Sequence, residues 1–384
     1  MDNRSSVSEY LQSRDDEYAR ENLAAMIFLG LVMFFGFVGN CLVFFVYFTK
    51  MKPSTTRCFI LALSTLDFAS CLICIPVDIV DIRNKFTFGE FGSTPCKMSA
   101  MFVTFTSFAS GNILVAVAAV RHKKVCYPTG PQTSIKDAYI AIFLSCVFAL
   151  TFSIPPTILY GGQTKVLSEG FNATLCTTSD VYVNTMLPLA YNVFQFVLFV
   201  AAMATLSTLY VRIWKGVARF AKVKKWSWKN KDVDNSDSGF VSKNNQVSVS
   251  KDSTLDSVSF EVHAYTTGKG KSSQLSSESC LGRRDTIIRC PSKRQRTARR
   301  TTLMLFIISL AFVVSFLPHL TLMVVRALHR DHIENLAGSA LAAYNIFLRS
   351  YFINCAANPF IYSYCNVNVR KEIAAIVSFR HYRM

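Results

Sequence analysis

The side chains of this chain that could do chemistry are few and isolated from one another. Asp67 is the one charged residue between Phe59 and Val77, and Arg349 is the one charged residue between Asn335 and Val369. His319 stands alone in the uncharged run Thr301–Val325. Nucleophilic or acid–base catalysis needs a base and an orienting group gathered around the reacting atom. A zinc site needs Cys and His at short spacings. Neither pattern occurs, so the expectation is a protein that is not an enzyme. A carboxylate stranded among apolar residues carries a different message. In hydrocarbon it is costly, and by default it marks function. Asp67 must face an interior and find partners there, either ionised beside a cation or protonated and merely hydrogen-bonded.

The elements that hold these residues are long apolar blocks. A helix crossing the hydrocarbon layer of a bilayer needs about 20 apolar residues. Asn22–Phe48, Met98–Val120, Ala138–Tyr160, Val181–Val211 and Thr301–Val325 contain no charged residue, and the two stretches around Asp67 and Arg349 contain one each. One such run could be a buried soluble helix, but seven describe a polytopic membrane protein. The expected fold class is an all-α membrane protein, a bundle of seven transmembrane helices. The 384 residues are 51% hydrophobic and 17% charged, which excludes collagen-like, disordered and disulfide-rich secreted chains.

The formal net charge of +17 is unevenly placed. Loops on the cytoplasmic side carry excess Lys and Arg. Lys50, Lys52 and Arg57 follow the first span. Arg121, Lys123, Lys124 and Lys136 follow the third. About twenty basic residues separate the fifth from the sixth. Residues 1–21 are acidic on balance. The N-terminus is therefore expected outside and the C-terminus inside. The sequons at Asn3 and Asn172 fall on the expected outer side and are candidate glycosylation sites. Residues 1–21 are polar and charged, so no secretory signal is expected before the first span, which is expected to act as its own insertion signal. A nucleic-acid partner is not expected, because anionic lipid of the inner leaflet accounts for the basic residues.

Of twelve cysteines, most lie inside spans and read as small packing residues. Cys96, at the start of the third span, and Cys176, between the fourth and fifth, both face the oxidising side, so a disulfide between them is expected. Closing a loop of 80 residues stabilises by roughly 4–5 kcal/mol in the chain-entropy view.

Several motifs then stand in order along the spans. The seventh carries Asn358-Pro359-Phe360-Ile361-Tyr362. The first has Gly39-Asn40, and the second Leu63-Ser64-Thr65-Leu66-Asp67. Arg121 lies 25 residues after Cys96, and Ser315-Phe316-Leu317-Pro318 sits in the sixth span with Phe312 six residues before the proline. Together with seven spans, these resemble the rhodopsin-like (class A) G-protein-coupled receptors over nearly the whole chain. Only the N-terminal tail and the third inner loop fall outside the likeness.

The resemblance implies roles. Ser110, Asn354 and Asn358 would complete a polar core around Asp67, the candidate metal residue, with Na⁺ as allosteric ion; oxygen donors suit such a hard cation. Pro318 and Pro359 kink their helices. Phe312, Phe316 and Tyr362 would form the activation switch around them, although two core aromatics on a Phe-rich helix read the same way. Arg121 would meet the heterotrimeric G protein, accompanied by Tyr210. Arrestin and receptor kinases are further implied partners. Here the sequence departs from the family pattern: Val120 replaces the acid before this arginine, His122 the following tyrosine, and Ala298 an acid carried by some members on the sixth span. Arg121 thus lacks its usual carboxylates, which points to raised resting activity or, conversely, to lost coupling. The fourth span lacks its usual tryptophan and the fifth its proline, near Ala202.

For the ligand, Val103 stands where amine receptors carry an Asp, which argues against amines, and no span 7 lysine is present for retinal. Asp78, Asp81, His319, Arg326 and Arg349 are mixed charges around a wide mouth, which suits a peptide. Arg349 could equally snorkel or serve structure. The segment Arg121-His122-Lys123-Lys124-Val125-Cys126-Tyr127-Pro128 resembles the inner loop of cholecystokinin-type and related neuropeptide receptors. The expected organisation is an extracellular tail (1–21), spans 1–5 (22–226), a disordered third inner loop (227–298), spans 6–7 (299–366), and an amphipathic helix with a short tail (367–384) on the inner leaflet of the plasma membrane. Alternatives are a non-signalling scavenger of the same fold, or a transporter, which would show internal repeats and more intramembrane charges.

Overall fold

Apolar stretches of this length become helices because no water is present in hydrocarbon to satisfy a backbone that does not bond to itself. The computed structural model describes residues 2–88, 92–167, 170–237, 293–329, 333 and 335–378. By internal contacts the chain divides into one unit of Met1–Ala218 with Thr297–Met384 and another of Arg219–Arg296. In chain order the elements are α1 (Asp2–Glu21), α2 (Leu23–Thr49), α3 (Thr55–Ala69), a π-helical turn (Ser70–Cys74), α4 (Ile75–Arg83), α5 (Ser93–Cys126), α6 (Ile135–Leu159), β1 (Tyr160–Val166), β2 (Asn172–Thr178), α7 (Leu187–Asp237), α8 (Lys293–Leu328), α9 (Gly338–Leu348), a 3₁₀ turn (Ser350–Phe352), α10 (Ile353–Cys365) and α11 (Val367–Val377).

Six described helical segments are long and apolar enough to cross a membrane: α2, α3 joined to α4, α5, α6, the first part of α7, and α8 from Arg300. The seventh span is divided. α9 and α10 are joined through Arg349 and the 3₁₀ turn, and Asn366 ends the run. Val369 lies in α11, within the segment expected to form the amphipathic helix. There it is buried against the bundle, with Ile373 and Ile376 packed beside it. The outward faces carry large apolar side chains, such as Phe34, Phe143 and Ile158, as lipid contact requires.

Of the segment expected as a tail, residues 2–21 form helix α1. The segment 227–298, expected as a loop, is helical at both of its described ends. Neither Gly nor Pro occurs from Ala218 to Asp237, which suits a continuing helix. The rest of that segment, with Thr286 and Ser292 as candidate kinase sites, lies outside the described residues. The bundle also carries one small sheet: β1 and β2 pair antiparallel, with Gly162 opposite Cys176.

The core joins Phe59, Ile60 and Leu63 of α3, Ile113 and Leu114 of α5, Ile308 of α8 and Tyr362 of α10. α2 approaches α10 closely enough that a Cβ on Gly39 would come 2.6 Å from the Pro359 ring. That glycine is fixed by contact, since any larger residue pushes the two helices apart.

Candidate functional site

At the end of the bundle marked by the disulfide, the bond between Cys96 of α5 and Cys176 of β2 holds the hairpin over a cavity of about 590 Å³. All six mouth residues named from the sequence line it: Asp78 and Asp81 from α4, Val103 from α5, His319 and Arg326 from α8, and Arg349. The π turn before Pro76 re-aims α4. Opening the helix there accommodates the missing N–H of the proline and turns its carboxylates toward α9.

Arg349 is the centre of the mouth. It is buried (7% exposed). Its Nε donates to Asp78 Oδ2 at 3.0 Å, Nη2 to Asp81 Oδ2 at 3.3 Å and Nη1 to Asn345 Oδ1 at 2.7 Å. Lys85 Nζ adds a contact to Asp81 at 3.3 Å. A buried guanidinium is tolerable only when its charge is paired and its donors are used, and both conditions hold here. Snorkelling is thereby excluded for Arg349. Asn345 extends the network by donating to Asn22 Oδ1 at 2.7 Å and to the Tyr18 hydroxyl at 3.2 Å.

α1 closes one wall. Asp15 is buried (1% exposed) and accepts from Phe86 N and Thr87 Oγ1, both at 2.6 Å; Asp16 pairs with Arg83 at 2.6 Å. Arg14, Glu17, Tyr18 and Glu21 then face the cavity. On the opposite wall Arg326 donates to Thr177 Oγ1 of β2 at 2.6 Å. Burial pushes the Tyr160 phenol above its ordinary value despite the nearby Arg326 charge, and its hydroxyl donates to Asn192 Oδ1 at 3.3 Å. Sequence reasoning missed Tyr18, Lys85, Asn345 and Thr177. They are ordinary polar residues, and only the fold brings them together.

Below the mouth, the interrupted seventh span is tied to the kink of α8. Phe352 N bonds to Arg349 O in the 3₁₀ turn, which leaves Leu348 O for His319 Nδ1 at 2.5 Å. Ser350 Oγ donates to Ser315 O at 2.7 Å, beside the carbonyl orphaned by Pro318. Phe312 and Phe316 stack with centroids 4.3 Å apart, and Phe316 meets Tyr351 at 5.9 Å.

Midway along the axis Asp67 is buried (2% exposed) and accepts from Asn358 Nδ2 at 2.7 Å. Ser110 and Asn354 are also buried, but neither hydrogen-bonds the carboxylate among the described residues. Asn40 Nδ2 bridges α2 to Cys355 O at 2.8 Å. The oxygens Asn40 Oδ1, Ser64 Oγ, Asn354 Oδ1 and Asn358 Oδ1 are buried without partners in the described residues. Open buried oxygens such as Asn358 Oδ1, on the amide that bonds Asp67, are acceptors that fit a hard monovalent cation or ordered water.

At the far end Arg121 is buried (8% exposed), and Nη2 donates to Thr56 Oγ1 of α3 at 2.8 Å. No described carboxylate pairs with it. Tyr210 hydrogen-bonds Leu305 O at 2.9 Å and Ser309 Oγ at 3.0 Å. Tyr362 packs on Tyr47, with centroids 6.1 Å apart. Thr56 is the partner that sequence reasoning missed. It lies 65 residues away, and a lone threonine gives no local signal.

Residues 39–362 match the family described as the 7 transmembrane receptor (rhodopsin family). The chain belongs to that family, so it is a multi-pass membrane receptor rather than an enzyme or a transporter. It is 25% identical over 384 residues to neuropeptide Y receptor type 4-2 of Homo sapiens, covering 94% of this chain and 82% of that one. It is 23% identical over 353 residues to neuropeptide FF receptor 2 of Rattus norvegicus, covering 88% of this chain and 69% of the relative. A shorter stretch of 163 residues, 42% of this chain and 33% of the relative, is 27% identical to the C3a anaphylatoxin chemotactic receptor of Cavia porcellus.

Proposed function

We propose that this receptor binds an extracellular neuropeptide at the disulfide end and activates a heterotrimeric G protein through Arg121. The mouth carries the reading. It is a cavity of about 590 Å³ lined by both signs of charge and by apolar side chains from α5, α8 and α9, large and mixed enough for a peptide with charged and apolar groups. The names of the relatives of greatest coverage agree with it. On this reading the chain resides in the plasma membrane with its N-terminus outside, and the exposed Asn172 of β2 and Asn3 are glycosylated there. Na⁺ occupies the polar core of Asp67, Ser110, Asn354 and Asn358 and favours the resting state. Bound peptide re-sorts the hydrogen bonds that tie the Arg349 link to the α8 kink, so that α8 swings about Pro318 and uncovers Arg121. Arrestin and receptor kinases then act on the inner face.

The experiment is recruitment of a G protein in cells expressing the full chain, screened against a neuropeptide library. A peptide that recruits wild type and loses potency by tenfold or more on Arg326→Ala supports the reading. Peptide binding without recruitment of any G protein would support the scavenger alternative, which the Val120 and His122 departures allow.

A further inference from the structure

We propose that Cys71 and Cys355 form a reversible modification site, a thiol pair that a peroxide closes into a disulfide across the core of the bundle. Both cysteines are buried and free. Cys71 lies in the π turn between α3 and α4, and Cys355 lies in α10 beside Asn354. Two observations place them together. The Cys355 thiol is hydrogen-bonded to the Cys71 thiol and also to the Asp67 carboxylate. Independently, both cysteines border the same missing side chain on α2. A Cβ on Gly36 would lie 2.5 Å from Cys71 Sγ and 3.5 Å from the carbonyl carbon and oxygen of Cys355. The glycine thus leaves Cys71 Sγ the space in which it meets Cys355. Asn40 Nδ2 holds α2 in place there by donating to Gly36 O and to Cys355 O, each at 2.8 Å.

The pairing is selective. Cys74 is also buried on the π turn, but its thiol is engaged by Thr106 of α5 and by Ser70. Cys41 is exposed on α2. Buried thiols ordinarily pack and stay inert. A second thiol in contact changes that, because a sulfenic acid formed on one condenses with the other. In the first step one sulfur attacks a peroxide oxygen and the O–O bond breaks; with hydrogen peroxide the departing hydroxide takes the thiol proton and leaves as water. In the second step the other sulfur attacks the sulfenic sulfur, the S–O bond breaks, and the departing hydroxide takes the second thiol proton as a second water. Two thiols give two electrons to one peroxide. The new bond ties the second span to the seventh beside the polar core, and it removes the S–H that Cys355 donates to Asp67. The site lies in the core and holds whatever ligand the mouth takes.

The test is peptide mapping by mass spectrometry of the purified full-length receptor in nanodiscs, treated with hydrogen peroxide, quenched, and alkylated under denaturing conditions. The Cys96–Cys176 cross-link is the internal standard, present before and after treatment. A Cys71–Cys355 cross-link is expected to appear on treatment, in roughly tenfold or greater excess over Cys74–Cys355, and to vanish on reduction with dithiothreitol. Receptor unfolded before treatment is expected to lose that preference. Cys74→Ser is expected to keep the cross-link. Gly36→Ala, whose methyl displaces Cys71 Sγ, is expected to slow its formation several-fold. Absence of the cross-link, the same preference in unfolded receptor, pairing of Cys71 with Cys74 or Cys41 instead, or an undiminished rate in a folded Gly36→Ala would each overturn the proposal. Where Gly36→Ala does not fold, the wild-type map decides alone.

Discussion

Two buried arginines mark the two ends of this receptor, and their surroundings are opposite. Arg349, in the link between α9 and α10, is held by Asp78, Asp81 and Asn345. Arg121, near the end of α5, is held by the hydroxyl of Thr56. Both are less than a tenth exposed, so both have given up most of their hydration. One has recovered it in two carboxylates; the other has one neutral oxygen. The mouth is thus a charge-paired frame, while the opposite end holds an arginine with a neutral partner and no carboxylate among the described residues.

The comparison breaks most visibly at Arg349. Arg349→Ala leaves Asp78 and Asp81 buried and facing each other. Removing one partner of a buried ion pair destabilises by about 3–5 kcal/mol. The solubilised receptor is expected to lose folded yield and to unfold at a lower temperature in a fluorescence melting scan. Changing Asp78 and Asp81 to Asn as well, with Arg349→Met, is expected to recover much of that loss. An unchanged melting temperature in Arg349→Ala would mean that the cluster adds nothing.

Between the two arginines lies Asp67. Replacing Na⁺ by N-methylglucamine is expected to raise agonist affinity in wild-type membranes by roughly 5- to 150-fold, the usual range of coupling between sites. Asp67→Asn is expected to abolish the difference. A wild type indifferent to Na⁺ would leave the open oxygens to water.

Arg121 can be given what Arg349 has. We expect the wild type to signal above mock-transfected cells without ligand. Val120→Asp supplies a neighbouring carboxylate, worth about 1–2 kcal/mol in a partly buried setting, and so is expected to lower that resting signal by a factor of roughly 5–30. Resting second messenger at the mock level, unmoved by Val120→Asp, would end the idea. The gentlest change runs the other way. Thr56→Val deletes one hydrogen bond of about 1 kcal/mol and is expected to raise resting signal a few-fold. A fall instead would show that Thr56 serves the active state.

The same two sites show what could be read from the chain beforehand. The spans were legible because a missing charge over 18 or more residues has few other meanings. Asp67, Arg121 and Arg349 stood out because a polar group in an apolar run is expensive. What stayed hidden was set by distant contacts. Nothing near Thr56 says that it faces Arg121, and nothing near Tyr18 says that it reaches Asn345. The break at Arg349–Phe352 depends on a side chain bonded to α4, some 270 residues earlier, and leaves no mark in hydropathy. The helix of residues 2–21 was equally hidden, since a polar segment without a clear apolar stripe does not declare a docking place.

That helix has a practical consequence. Because Asp15 takes up the backbone of Phe86 and the hydroxyl of Thr87, and Tyr18 reaches the Arg349 network, the later turns of α1 are part of the vessel and not its label. A shortened or heavily fused amino terminus would present chemists with a wider and differently charged opening. Potencies ranked on such a chain would describe that altered opening instead of the native one.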